Sequence, residues 1–196
     1  MIYMNTFEVK SGKLILSDPS YEYPTWCQGV VKAKNGKWDT RIIESKGRVA
    51  TIAAFNIESA MSIPKLMDKL SKAPAIPFIG GVDSGQFGYF DFNTYRDDAS
   101  VNGLPIYSWG NEYDTNEVGD IFYRACCDIT INDTHGVLPN GFVSTSGYGD
   151  GSYTTFGLAD ENGEYYALIT HFIFSDEEDM YEDEDEDESL DEESEL

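Results

Sequence analysis

Two short stretches hold the residue types from which a binding or catalytic site is made. They are Gly80-Gly81-Val82-Asp83-Ser84-Gly85-Gln86 and Ser146-Gly147-Tyr148-Gly149-Asp150-Gly151-Ser152-Tyr153. Carboxylates and hydroxyls on glycine-rich turns can surround a polar ligand or a hard cation such as calcium or magnesium, which take oxygen donors. If the two turns meet at one rim, the candidate ligand-binding set is Asp83, Ser84, Gly85 and Gln86 with Tyr148, Asp150 and Ser152. Hydrolysis using Asp83 and Asp150 falls within that chemistry. Asp18 and Asp91 join the cluster only if the fold carries them there. Neither stretch is a phosphate loop: one pattern needs a Lys, and the other must open a helix where a strand is expected here. No EF-hand-type run of alternating Asp and Asn is present. The competing reading takes both stretches as tight turns, with Ser84-Gly85 and Asp150-Gly151 supplying turn chemistry.

The remaining catalytic inventory is thin. His135 and His171 are the two histidines, so a His-rich metal site is excluded, and any Ser-His-Asp or Cys-His arrangement would depend on one of them. His171 lies in an apolar run and reads as a packed or hydrogen-bonded side chain, while His135 sits in a turn-like stretch, Asn132 to Gly136. The three cysteines, Cys27, Cys126 and Cys127, show neither C-x-x-C spacing nor a disulfide framework and are read as reduced. Arg124 could lower a thiol pKa at Cys126-Cys127, though buried structural thiols are the preferred reading. No catalytic residue is assigned, no cofactor is implied, and the identity of any metal stays open.

Strands must position these turns. Ile2 to Val9 and Lys13 to Ser17 are β-prone runs separated by Ser11-Gly12, an opening hairpin or a pair of neighbouring strands. Asp18-Pro19-Ser20-Tyr21 is a turn. Gln28 to Lys34 and Lys37 to Glu44 flank Asn35-Gly36, the signature of a two-residue hairpin, and Arg48 to Asn56 follows Lys46-Gly47 to complete a predicted meander. Ser62 to Lys72 predicts one short amphipathic helix, with Pro64 in its first turn and Leu66, Met67 and Leu70 on one face. Strands are predicted at Ile76 to Gly81, Gln86 to Phe92, Gly141 to Ser146, Tyr153 to Ala159 and Glu164 to Phe174, the last apolar enough for burial on both faces. Residues 93 to 115 read as a long surface loop, interrupted at Leu104 to Trp109; Glu117 to Cys126 reads as helix or strand, with helix preferred. The fold class expected is mainly β, a sandwich or strongly bent antiparallel sheet with one or two short helices.

Charge divides the chain. Fifteen of its 36 acidic residues lie between Asp176 and Leu196, where no Lys or Arg occurs, so residues 1 to 175 carry 21 acidic against 13 basic residues. The expected organisation is a single β-rich globular domain over 1–175 and a disordered polyacidic tail over 176–196, whose carboxylates repel one another and whose few apolar residues cannot offset ordering entropy. Such a tail solubilises, attracts a basic partner, or screens the basic residues gathered between Lys10 and Arg48. No run of apolar residues long enough to span a membrane and no secretory leader is evident, which favours the cytoplasm. The net charge of −23 disfavours direct nucleic-acid binding. Tyr21, Tyr23, Trp26, Tyr89, Tyr107, Trp109 and Tyr113 either anchor a partner or cap a small core.

Ser11-Gly12-Lys13-Leu14 leading to Asp18-Pro19, then Gly81-Val82-Asp83-Ser84-Gly85-Gln86 with Asp91, then Gly147-Tyr148-Gly149-Asp150-Gly151-Ser152-Tyr153, together resemble the bacterial and phage family called domain of unknown function 4241. The resemblance spans most of residues 8 to 174 and leaves out the acidic tail. It implies a β-rich fold and a bacterial or phage origin, and it carries no activity. The function expected is a non-enzymatic protein-interaction module, inhibitor- or immunity-like, whose acidic tail attracts a protein partner that is basic or nucleic-acid-binding. The alternative is a ligand- or metal-binding domain or hydrolase using the Asp83 and Asp150 loops.

Overall fold

The computed structural model describes residues 6–59, 61–104 and 118–174. Eleven strands are present among them: β1 (Thr6–Val9), β2 (Lys13–Ser17), β3 (Gly29–Lys32), β4 (Gly36–Ser45), β5 (Arg48–Asn56), β6 (Ala75–Val82), β7 (Gln86–Asp91), β8 (His135–Leu138), β9 (Gly141–Thr145), β10 (Gly151–Ala159) and β11 (Tyr165–His171). They form a six-stranded sheet, β1-β4-β5-β11-β10-β6, and a five-stranded sheet, β3-β2-β7-β9-β8, with every neighbouring pair antiparallel. The predicted acidic tail, and the Tyr107, Trp109 and Tyr113 aromatics, lie outside the described residues.

The two sheets stack face to face as a sandwich. Between them, Phe7, Trp38, Ile52 and Leu168 of the larger sheet meet Leu14, Leu16, Phe87, Tyr89 and Phe142 of the smaller one. Period-two alternation sends the other residues of each strand outward. On the larger sheet those outward residues are also apolar, because helix α1 (Ile63–Leu70) lays Leu66 and Leu70 over Ala53, Phe55, Ala167 and Ile169. The unbroken apolar run of β11 is thereby explained by burial on both faces. On the smaller sheet, α2 (Asp120–Asp133) covers Ile15, Phe90 and Val143 with Phe122, Ala125 and Cys126, an i, i+3, i+4 set. Its first turn is held by Asp98, which accepts from the backbone N–H of Phe122 at 2.9 Å and of Gly119 at 3.1 Å.

Several sequence expectations are corrected. Lys13 to Ser17 is not the hairpin partner or the neighbour of the first strand: β1 pairs with β4 and β2 with β3 and β7, so the chain changes sheets at Ser11-Gly12. Asn35-Gly36 closes no hairpin either. It carries the chain from β3 in one sheet to β4 in the other, with the Asn35 side chain accepting from Gly12 N–H at 2.7 Å and its carbonyl accepting from Asn56 at 3.0 Å. The predicted meander therefore reduces to β4–β5. There Ser45 faces Arg48 across Lys46-Gly47, whose φ angles of +47° and +76° suit a tight two-residue hairpin. Within the predicted Glu117 to Cys126 stretch the helix begins at Asp120, and it runs to Asp133, well past Cys126; His135 opens β8 instead of lying in a turn. Residues 92–101 hold two 3₁₀ turns, and 105–117, with most of the Leu104 to Trp109 segment, fall outside the described residues.

Candidate functional site

The β6–β7 and β9–β10 connections do meet at one end of the sandwich. Gly151 stands opposite Val82 in the β10–β6 ladder and Gln86 opposite Thr145 in β7–β9, so both turns leave the sheets side by side. Gly85 joins them: its N–H donates to Asp150 Oδ1 at 3.1 Å and its carbonyl accepts from Ser146 N–H at 3.0 Å. Its φ of +68°, a conformation that L side chains rarely adopt, makes glycine the residue for this position.

Asp18 lies beneath this rim, fully buried at the end of β2. Its Oδ2 accepts from the backbone N–H groups of Asp83 and Ser84 at 2.9 and 2.8 Å. Its Oδ1 accepts from the Ser84 hydroxyl at 2.7 Å and Ser20 N–H at 2.8 Å. Four donors on one carboxylate compensate its desolvation and fix the Asp18 turn to the 83–85 turn. Asp83 reaches outward, accepting from the Tyr21 hydroxyl at 2.5 Å; that bond, foremost, raises the Tyr21 pKa well above its usual range.

Asp91 is elsewhere. It pairs with Leu14 at the opposite end of β2, where Oδ2 accepts from Lys10 and Ser11 N–H, each at 2.7 Å. Asp18, Asp83 and Asp150 thus share a rim, and Asp91 belongs to a backbone clamp at the other end. Among the described residues no group of three or more His, Cys, Asp or Glu is disposed to hold a metal ion. Ser152 is exposed on β10 opposite Gly81, and Tyr148 stacks under the Arg48 guanidinium at 5.0 Å.

The structure adds Tyr123 of α2, which sequence reasoning passed over, and brings Cys127 to the rim. Gln86 is 6 % exposed and donates through Nε2 to Cys127 Sγ at 3.4 Å, while its Oε1 is buried without a partner. Tyr123 lies one turn before Cys127, and its pKa is pushed up to about 12, first by burial and then by the neighbouring Cys127. Cys126 faces the core, where burial raises its thiol pKa. The i, i+4 spacing of Tyr123 and Cys127 was visible in the sequence; what they face was not. Of the histidines, His171 is half-buried between Phe156 and Phe174 and bonded to Thr51 Oγ1 at 3.0 Å, and His135 packs near Phe142.

A second feature is apolar. The 18–28 connection is pinned along its length: Arg96 donates to the carbonyls of Pro19 and Ser20 at 2.8 and 3.0 Å, the Tyr95 hydroxyl to Tyr21 O at 2.7 Å, and Gly81 N–H to Cys27 O at 3.2 Å. Yet it presents Trp26 89 % exposed, with Tyr23 at 52 %. This connection leads into β3, the outer strand of one sheet, and touches β6, the outer strand of the other; Val30 and Ile79 point outward from those two strands, and Phe78 lies on Gly29 between them. Comparison with known protein families, with curated proteins and with solved structures finds no match for this chain.

Proposed function

We propose that this chain is a non-enzymatic protein-interaction module, inhibitor- or immunity-like and of bacterial or phage origin. It recognises its partner through the side of the sandwich where β3 and β6 are outermost. The observation that carries this reading is Trp26, left 89 % exposed on a connection whose backbone is otherwise tied down. A solvent-facing indole gains about as much from burial as any residue can, and with the flanking backbone held little backbone entropy remains to be lost on binding. Tyr23, 52 % exposed on the same connection, extends the apolar surface, while the acidic C-terminal stretch adds electrostatic attraction for a basic partner in the cytoplasm. No helix among the described residues is long and apolar enough to cross a membrane. The test is affinity capture from bacterial lysate with the full chain and with Trp26→Ala, at low and high salt. The expected result is one partner, weakened by salt and lost with the variant while its melting temperature stays the same. Equal retention by both proteins would place recognition elsewhere.

A second reading, a ligand site at the Asp83 and Asp150 rim, is favoured by the contact between the two turns and by the unpartnered Gln86 Oε1 beneath them. Asp150→Asn separates the roles, because it keeps the Oδ1 acceptor for Gly85 N–H and removes the charge. Under the interaction reading it leaves melting shifts in a metal and small-ligand screen unchanged. A shift present in the wild type and abolished in the variant would favour the ligand site.

A further inference from the structure

Four of the eight basic residues of the N-terminal quarter face carboxylates. Lys10 pairs with Glu8 at 3.0 Å, Lys34 with Asp160 at 3.1 Å and Arg41 with Asp39 at 2.7 Å, and Lys37 stands directly across from Glu8 in the β1–β4 register. Lys13 and Lys32 are different. They face each other directly in the β2–β3 ladder, both exposed, and neither forms an ion pair among the described residues. Leu14 and Leu16 point into the core, so Lys13 and Lys32 project together from the outward face of the sheet. Directly opposed side chains have Cβ atoms about 5 Å apart, where like charges destabilise the strand pair. Such a pair, across the outermost strand β3 and its neighbour β2, is complementary to an anion.

The surroundings narrow the kind of anion. The Lys13 ammonium lies 5.5 Å over the Phe92 ring, which Tyr23 meets edge-on at 5.0 Å, and Val30 shares the outward face of β3 with Lys32. Two directly opposed cations suit a peptide with a run of carboxylates better than a single small inorganic anion. This chain contains such a peptide. Asp176-Glu177-Glu178-Asp179 precedes Met180-Tyr181, and seven consecutive acidic residues follow. Glu182 to Glu188 lie 8 to 14 residues beyond Phe174, and fully extended that length reaches on the order of 25–50 Å, against a radius of gyration of about 16 Å for a domain of this size. Being tethered, the segment competes against free anions at an effective concentration in the millimolar range.

We propose that residues 182–188 of the same chain dock on this surface, with their carboxylates bridging Lys13 and Lys32. A basic partner then has to compete with these two lysines for the same carboxylates. The inference stands whether or not the Trp26 surface binds a partner.

Zero-length carbodiimide coupling of the full chain, mapped by mass spectrometry, tests it. Lys10–Glu8 and Lys34–Asp160 couplings serve as internal controls. The expected result is that carboxylates of 182–188 couple mainly to Lys13 and Lys32, with yields falling at least about fivefold in roughly 0.5 M salt. In a mixture of isotope-labelled and unlabelled chains these couplings should join like with like. The Lys13→Gln/Lys32→Gln double variant should not shift them to neighbouring lysines in equal yield. The proposal is overturned if the controls couple and the acidic segment does not, if it couples to lysines in proportion to their exposure, or if mixed-isotope products dominate, which would assign the surface to a second copy.

Discussion

At the scale of single residues, Asp18 and Asp150 show how the same chemical group takes different weight from its surroundings. Asp18 is buried with four donors on it, so Asp18→Ala strands those donors and should cost about 3–5 kcal/mol, read by urea denaturation. Asp150→Asn keeps its single bond and should cost under about 1 kcal/mol. His171 gives a pH signature. Burial lowers its pKa below the ordinary value near 6.5, so the folded state holds it neutral while the unfolded state takes up a proton first. Stability should therefore be unaffected by this group above about pH 6.5 and should fall as pH drops from there through the lower folded-state value. His171→Gln should flatten that part of the stability profile between about pH 7.5 and 5.5, and an unchanged slope would assign it to other groups. That Asp18 is a structural clamp was not legible in the sequence, because a carboxylate in an Asp-Pro turn looks the same whether it faces solvent or three N–H groups and a hydroxyl.

At the scale of elements, strand and helix positions followed from local pattern, whereas pairing did not. Lys13–Ser17, Gln86–Asp91 and the α1 segment lie where periodicity places them. Asn35-Gly36 has the composition of a hairpin turn, but the β4 that follows satisfies its ladder with β1 and β5, and β3 with β2, and no local term distinguishes those partners. The α2 terminus carries a further test. Thr134 ends the helix at φ +61°, a left-handed conformation that a β-branched residue adopts at a cost. Thr134→Gly should raise stability by about 0.5–1 kcal/mol, seen as a higher denaturation midpoint at constant slope. A loss would mean that the Thr134 hydroxyl, 3.3 Å from His135 Nδ1, contributes more than the strain removes.

At the scale of the whole molecule, the layers α1, six-stranded sheet, five-stranded sheet and α2 leave two tryptophans in opposite surroundings. Trp38 is fully enclosed between the sheets, its Nε1 donating to Lys34 O at 2.9 Å, and Trp26 stands in solvent. Trp26→Phe should remove a red-shifted, iodide-quenchable component of the fluorescence with less than about 0.5 kcal/mol change in stability. Trp38→Ala should cost about 3–5 kcal/mol by opening the centre of the sandwich. Loss of quenchable emission without Trp26 being changed would contradict this placement. The sequence by itself determined the β-rich class, the two helical segments and the concentration of acidic residues at the C-terminal end, because hydrophobic period and composition are local properties. Tertiary structure alone decided that β1 and β2 part company, that three of the four singled-out aspartates share a rim while Asp91 lies at the far end, and that Lys13 faces Lys32. Those facts depend on which strand edges meet, and backbone hydrogen bonds, being the same at every residue, leave that choice to side-chain packing across the whole sandwich.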